Sequence, residues 1–136
     1  MDIKFGMIVL VVRDLHRSIG FYRLLGLKIS DPFPDRPVSL SRLTDDVNLV
    51  LVTENFARHD PHWDRPEHGY QQLLEFLVGD DAAVDAEWQK LTSAGYHGRQ
   101  APAKTFGPYA AMVDDPDGNV TLITSDPATN TSGTTT

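Results

Sequence analysis

The stretch Ala111–Thr124, AMVDDPDGNVTLIT, shows most directly how this chain folds. Two runs rich in β-forming residues flank the tetrapeptide DPDG at Asp115–Gly118, so the stretch is predicted to be a β-hairpin. Proline sets φ at the second turn position, and the glycine can adopt the left-handed conformation that hairpin loops often need. The outgoing strand, Val120–Thr124, contains no carboxylate, histidine or cysteine. It therefore offers a ligand only apolar surface and two threonine hydroxyl groups.

The composition is typical of a globular protein with an acidic balance. The 136 residues suffice for one domain or two half-sized units, and the formal net charge of −7 argues against nucleic-acid binding, which depends on Lys and Arg. Cysteine is absent, which excludes disulfides and leaves His, Asp and Glu as possible metal ligands. No apolar run approaches the roughly 20 residues of a membrane span, and the N-terminal segment lacks a signal-peptide cleavage site. We therefore expect a cytoplasmic protein.

The first half of the chain is predicted to have the order β-α-β-β-β. Phe5–Val12 is an apolar run rich in β-branched residues and is interpreted as a buried strand. A helix follows between the capping residue Asp14 and the terminal Gly26, with apolar side chains spaced three and four positions apart. The remaining strands are predicted at Leu27–Ser30, Val38–Leu43 and Val47–Thr53.

The second half repeats this order. The elements predicted there are a strand at Leu73–Val78, a helix capped by Asp80 or Asp81 and ended by Gly95, a strand that begins at Tyr96–Arg99, a loop at Ala101–Lys104 and the hairpin. The intervening segment has two prolines and no periodicity, which is typical of a linker. The predicted divisions are therefore a first module at 1–54, a linker loop at 55–69, a second module at 70–125 and a disordered tail at 126–136.

This internal repeat predicts an α+β architecture of two tandem βαβββ modules. In each module the helix covers one face of a twisted sheet and leaves the other face open and concave. Two such modules together form a cupped mixed sheet lined by inward-pointing side chains. A cup of this kind is the expected place for a small ligand.

The signature V-x-D-L-x-x-S-x-x-F-Y-x-x-L-G-L at residues 12–27, the repeated module and the DPDGN turn at residues 115–119 resemble the vicinal-oxygen-chelate superfamily. This superfamily includes glyoxalase I, extradiol dioxygenases, fosfomycin-resistance enzymes and bleomycin-resistance proteins. The resemblance covers roughly residues 4–125. It implies the cupped two-module fold and, for the enzymes of the family, a divalent metal ion held in the cup by His and Glu.

The family's metal-ligand positions carry apolar side chains in this sequence. Carried over by position, the first-strand histidine corresponds to Met7, the second-module histidine falls near Leu73, and the closing glutamate corresponds to Leu122. The remaining ligand would fall in Val47–Val52, where Asn48 is the only polar side chain. Because methionine and leucine cannot hold a hard divalent ion, we expect no metal and no other cofactor.

This departure favours the metal-free, bleomycin-resistance-like branch. Members of that branch keep the fold, lack the metal and sequester a drug-sized molecule, usually as dimers whose pockets are shared between subunits. The resemblance thus implies a homodimer that sequesters a hydrophobic, aromatic natural product and so confers antibiotic or drug resistance. Neither a nucleic acid nor a membrane is an expected partner.

The residues expected to contact such a ligand are aromatic rings at the rim of the cup and apolar side chains on its floor. Flat rings can stack on a planar ligand, and thioether side chains adapt to its shape. Some rings could instead pack against the core or at a dimer interface, and the methionines could simply fill gaps. The rim candidates are Phe33, Phe56, Trp63, Phe106 and Tyr109, and the floor candidates are Met7, Met112 and Leu122.

Other functions remain open at this point. His59, His62 and His68 have the residue type of a zinc site, but prolines between them favour a solvated loop. A metal-independent isomerase, cyclase or lyase would need a general acid or base in the cup, and a glyoxalase-type or dioxygenase-type enzyme would need relocated metal ligands. The acid–base candidates are His62, Asp64, Glu75 and His97, and the candidate clamps for anionic groups are Arg42 and Arg99.

Overall fold

Two modules follow one another along the chain, one in residues 1–68 and the other in residues 69–136. The structure is a computed structural model that describes residues 4–58, 60–67, 69–70, 72–105 and 107–126, apart from the side chain of Phe56. Each module combines a β-sheet with a helix, so the predicted α+β class is confirmed. Within these ranges, no helix combines the length and the apolar character that a membrane-spanning segment needs.

The first module is built on a three-stranded sheet. Its elements are β1 (Met7–Val12), α1 (Leu15–Leu25), β2 (Val38–Arg42), β3 (Asn48–Thr53) and the short helix α2 (Glu54–Ala57). The strands lie in the order β1-β3-β2, with β1 parallel and β2 antiparallel to β3. The sequence does not predict α2, because a single turn is too short to show helical periodicity.

α1 begins and ends at the capping residues that the sequence predicts. The Asp14 carboxylate accepts a hydrogen bond from the Arg17 backbone N–H at 3.2 Å. At the other end, Gly26 has a φ of 117°, in the left-handed region that residues with a side chain rarely adopt. Ile19 and Tyr22, on the predicted apolar stripe, are buried. The helix therefore covers one face of the first sheet with apolar side chains.

The segment Leu27–Ser30, predicted to be a strand, does not form a regular strand. The segment lies beside β2, but serine side chains replace the backbone ladder of a strand. The Ser30 N–H donates to Ser41 Oγ at 2.9 Å, and Ser39 Oγ donates to the Ser30 carbonyl oxygen at 2.8 Å. Side-chain hydroxyls can satisfy backbone groups in place of a neighbouring strand, which a sequence pattern of apolar residues does not reveal.

The second module is built on a four-stranded sheet. Its elements are β4 (Leu73–Val78), α3 (Asp81–Ser93), β5 (Gly98–Lys104), β6 (Tyr109–Asp114) and β7 (Val120–Ser125). The strands lie in the order β4-β7-β6-β5, with β4 parallel to β7 and the other pairs antiparallel. Asp80 caps α3 by accepting a hydrogen bond from the Ala83 N–H at 2.9 Å. Gly95, with a φ of 98°, lies just beyond the helix end, as predicted.

The segment Ala101–Lys104, predicted to be a loop, is part of the edge strand β5. Its pairing with β6 shifts register between Gln100 and Ala103, and Pro102 lies within that shift. A proline lacks the N–H that a regular ladder requires, but an irregular stretch of an edge strand tolerates it. The loop prediction was wrong because the sequence does not show that this segment is an edge strand, where a proline is tolerated.

The hairpin of β6 and β7 forms around the predicted turn. The Asp115 N–H donates to the Asn119 carbonyl oxygen at 2.8 Å, and the Gly118 N–H donates to the Asp115 carbonyl oxygen at 3.0 Å. The buried Asp115 carboxylate accepts hydrogen bonds from the Asp117 N–H, the Asn119 N–H and the Asn119 side-chain amide, each at 2.8 Å. Gly118 has a φ of 85°, which explains the glycine at this position.

Candidate functional site

The sheet of the first module has an apolar face that α1 does not cover. In register across the strands, Val9 on β1 lies beside Val50 on β3, which lies beside Leu40 on β2. Val9 and Leu40 are exposed, whereas Val38, Val50 and Val52 on the same side are buried and pack with Val11. Leu49 and Leu51, which point to the other side of β3, are buried as well. We call this surface the first open face; its residues are Met7, Val9, Val11, Val38, Leu40, Arg42, Asn48, Val50 and Val52.

The sheet of the second module has a corresponding surface on β4, β7 and β6. Leu73 is 36% exposed and Leu77 is 58% exposed, both on the same side of β4. Leu122 on β7 is in register with Glu75 on one side and Met112 on the other. We call this surface the second open face; its residues are Leu73, Glu75, Leu77, Ala110, Met112, Asp114, Val120, Leu122 and Thr124. Its exposed part is on β4, whereas Ala110, Asp114, Val120 and Thr124 are buried.

The three positions that the resemblance assigns to the family's metal ligands all lie on the open faces. Met7 is on the first open face and is 52% exposed, and Leu73 and Leu122 are on the second. Met7 on β1 is in register with Asn48 on β3, so the neighbour of Met7 on the next strand is an amide side chain. A hard divalent ion needs several oxygen or imidazole ligands. The residues present do not fit the metal of the family, and within the described ranges no three His, Asp or Glu side chains are grouped to hold one.

The floor candidates Met112 and Leu122 are neighbours across the β6–β7 ladder, and both are half-buried. They form part of one continuous apolar surface with the exposed leucines of β4. Met7 belongs to the corresponding surface of the other module. The structure therefore places all three predicted floor residues on the faces opposite α1 and α3.

The rim candidate Tyr109 lies on the helix-covered side of the second sheet. Its hydroxyl donates a hydrogen bond to the Asp85 carboxylate of α3 at 2.6 Å. This hydrogen bond raises the pKa of Tyr109 above its usual value, with further contributions from burial and from the negative charges of Asp85 and Asp81. Because strand side chains alternate, Tyr109 points away from Ala110 and Met112, so it does not share a surface with the floor residues.

Two other rim candidates lie in the first module against arginine side chains. The Arg36 guanidinium carbon lies 4.1 Å from the ring centroid of Phe33. The half-buried Trp63 has the guanidinium carbons of Arg58 and Arg65 at 5.6 Å and 5.7 Å from its ring. These rings already have cationic partners within the module, at distances typical of cation–π contacts.

The remaining loop predictions cannot be placed. Phe106, His59 and His68 lie outside the described residues, as does the tail from residue 127, and the side chain of Phe56 is likewise outside them. His62 is exposed, and its backbone N–H donates to the Asp60 carboxylate at 2.9 Å.

An ion pair at one end of the second open face joins Arg99 and Asp114. Arg99 Nε donates to Asp114 Oδ1 at 2.7 Å, and Arg99 Nη2 donates to Asp114 Oδ2 at 3.1 Å. The Tyr70 ring centroid lies 5.5 Å from the same guanidinium. The hydrogen bonds to Asp114 raise the pKa of Arg99. Arg99 therefore serves an internal carboxylate here, in contrast to its predicted role as a clamp for an external anion.

Leu77 and Tyr70 are both exposed, although the sequence did not predict either of them as a surface residue. Leu77 lies in the run LLEFLV of β4, which looks uniformly apolar except at Glu75. The charge of Glu75 could have indicated which side of β4 is exposed. Because strand side chains alternate, Leu73 and Leu77 lie on the same side as Glu75.

Comparisons with known proteins agree with this architecture. A family model described as the glyoxalase/bleomycin resistance protein/dioxygenase superfamily matches residues 4–123. A hypothetical protein from S. aureus has a similar structure, with a TM-score of 0.80, 23% identity and coverage of 93% of this chain and 95% of that one.

Two further solved structures are similar. A glyoxalase-related enzyme from Fulvimarina pelagi gives a TM-score of 0.78 and 20% identity, covering 91% of this chain and 88% of that one. A protein from Agrobacterium tumefaciens gives a TM-score of 0.71 and 27% identity, covering 91% and 98%. A search of curated protein sequences gave no match.

Proposed function

Because this chain belongs to the glyoxalase/bleomycin resistance protein/dioxygenase superfamily, we propose that it is a variant of the fold that binds a hydrophobic, aromatic small molecule without a metal ion. The ligand lies on an open face of a module and is held intact. Sequestration of this kind protects the host cell from a toxic natural product.

The main support for the proposal is that the side chains at the three expected metal-ligand positions are apolar. Met7, Leu73 and Leu122 lie on the uncovered sides of the sheets, where the enzymes of the family need His and Glu. A surface that keeps the place of a metal site but offers thioether and aliphatic groups favours an apolar partner.

Burial of exposed apolar side chains provides the driving force for ligand binding. Met7, Val9, Leu73 and Leu77 are each at least one-third exposed, although each lies within a regular strand. Contiguous exposed apolar surface is uncommon unless something binds there. Covering apolar area contributes about 25 cal/mol per Å², so 100 Å² of contact stabilises a complex by about 2.5 kcal/mol before the cost of association.

Binding of a neutral aromatic probe tests this function. Titration of the purified chain with 1-naphthalenemethanol, followed by calorimetry and by the amide NMR spectrum, is expected to show saturable binding with shifts on β4 and β7. Leu73→Ser and Leu77→Ser are each expected to weaken binding several-fold, because they remove apolar contact. Ala86→Ser, on the exposed side of α3, is the control and is expected to leave binding unchanged.

The outcomes separate binding from catalysis. A candidate natural product that is recovered unaltered after prolonged incubation supports sequestration. Recovery of a chemically altered compound would assign the chain to the enzymes of the superfamily. Failure of the neutral probe to bind would contradict the proposal that the open faces take an apolar ligand.

A further inference from the structure

A single carboxylate stands in the middle of the apolar part of the second open face. Glu75 is the third residue of the six-residue strand β4, between Leu73 and Leu77 on the same side. Across the ladder it is in register with Leu122, and Leu122 is in register with Met112. Glu75, Leu122 and Met112 therefore form one row across three adjacent strands. We call them the Glu75 row.

Glu75 differs from the other carboxylate on this face. Asp114 is tied to Arg99 by two hydrogen bonds, which neutralise its charge. Within the described part of the chain, Glu75 is exposed and no hydrogen bond or ion pair includes it. The apolar face therefore carries one neutralised acid and one acid that is free to meet an external cation.

The row sets the dimensions of a ligand. Adjacent strands are about 4.8 Å apart, so the distance from β4 to β6 is roughly 10 Å. A molecule with a cationic group at one end and an apolar body of that length matches the row from Glu75 to Met112. A carboxylate flanked by aliphatic side chains attracts a cation more strongly than one in open water, because a ligand that covers the face excludes solvent.

We propose that the Glu75 row binds a hydrophobic amine, with the ammonium group at the Glu75 carboxylate and the apolar body over Leu122 and Met112. This inference rests on the proposed function and specifies the chemical class of its ligand. It also distinguishes the second open face from the first, whose polar end carries the cationic Arg42 and the amide Asn48.

Three probes that share one ring system test the proposal. 1-Naphthylmethylamine is cationic at neutral pH, 1-naphthalenemethanol is neutral, and 1-naphthoic acid is anionic. The amine is expected to bind at least tenfold more tightly than the alcohol, and the acid more weakly than both. The difference between amine and alcohol is expected to shrink as salt is raised, because the contact is electrostatic and solvent can reach it.

Two variants that each remove one negative charge distinguish a local contact of the amine with Glu75 from general attraction to the net charge of −7. Glu75→Gln is expected to lower the affinity for the amine to that for the alcohol, while leaving the affinity for the alcohol within twofold. Asp45→Asn makes the same change in net charge at an exposed turn of the first module and is expected to preserve the preference for the amine.

The possible results distinguish this proposal from the function on which it rests. If the alcohol binds but the amine has no advantage, or if Glu75→Gln keeps the advantage, the role of Glu75 is refuted and apolar binding stands. In that case Glu75 acts as a charge that protects an edge strand against pairing with another chain, and Glu75→Gln increases self-association. If none of the three probes binds, the proposed function itself fails.

Discussion

At the scale of single residues, the contact between Trp88 and Gly98 shows how a glycine can be required for space. A Cβ atom at Gly98 would lie 2.2 Å from Trp88 Cη2 and 2.8 Å from two further ring carbons. The indole ring therefore lies directly against the backbone at the start of β5. Any side chain at position 98 must displace the ring or the strand.

Gly98→Ala is accordingly expected to destabilise the protein by about 1–3 kcal/mol, because the added methyl group overpacks this contact. Gly20→Ala is the matched control. Gly20 lies inside α1, and nothing is within 4 Å of an added Cβ there. The control is expected to stabilise the protein by about 0.5–1 kcal/mol through helix propensity. Urea unfolding measures both, and equal effects would contradict the proposed contact.

The hydrogen bond between Tyr109 and Asp85 makes part of the stability depend on pH. Because the pKa of Tyr109 is raised in the folded protein, its contribution is complete below the ordinary tyrosine pKa of about 10 and is lost as pH rises through the raised value. The unfolding free energy of the wild type is therefore expected to fall relative to Tyr109→Phe in that range.

NMR titration of ring-labelled tyrosine tests the cause of this pKa. Asp85→Asn removes the negative acceptor, so the pKa of Tyr109 is expected to fall toward its ordinary value. Asp45→Asn makes the same change in net charge at an exposed turn of the first module and is expected to leave the pKa of Tyr109 where it is. A pKa that does not respond to Asp85→Asn would contradict the assigned cause.

At the scale of elements, the hairpin of β6 and β7 depends on one buried carboxylate. Asp115 accepts two backbone hydrogen bonds and one side-chain hydrogen bond within the turn. These interactions organise the turn more tightly than the proline and glycine could alone. They also determine where β7 begins, and with it the position of Leu122 on the second open face.

Asp115→Ala is expected to cost about 2–3 kcal/mol, because it leaves three donors of the turn without their acceptor. Asp45→Ala, at an exposed turn residue of the first module, is expected to change stability by less than about 0.5 kcal/mol. Chemical denaturation gives both values. A small effect at Asp115 would show that the turn forms without its carboxylate.

At the scale of the whole molecule, the apolar side chains of Met7, Leu73 and Leu122 predict that folding is independent of metal, and the described residues contain no group of three His, Asp or Glu that could hold an ion. Treatment with a strong chelator is expected to leave the Tm and the far-UV circular dichroism unchanged, because no ion contributes to stability. A Tm that drops after chelation and returns with one particular divalent ion would contradict this. Elemental analysis of the untreated protein provides the independent check.

Much of the fold was predictable because its signals are local. The caps Asp14, Gly26 and Asp80, the DPDGN turn and the apolar periodicity of the helices act over a few residues, and the repeated order identified the superfamily. The segments at Leu27–Ser30 and Ala101–Lys104 were harder to predict. Their backbone hydrogen bonds depend on Ser39 and Ser41 in one case and on an edge position in the other. The homodimer and the resistance role stay predictions.

For the candidate site, too, some features were predictable from the sequence and others only from the structure. The sequence by itself determined that Met7, Leu73 and Leu122 are apolar, and its resemblance to the superfamily predicts that they stand at the metal-ligand positions. Only the tertiary structure decided that Tyr109 contacts α3 and that Glu75 shares a row with Leu122 and Met112. The physical reason is register: the face and the neighbours of a strand residue depend on hydrogen bonds to strands that are distant in sequence.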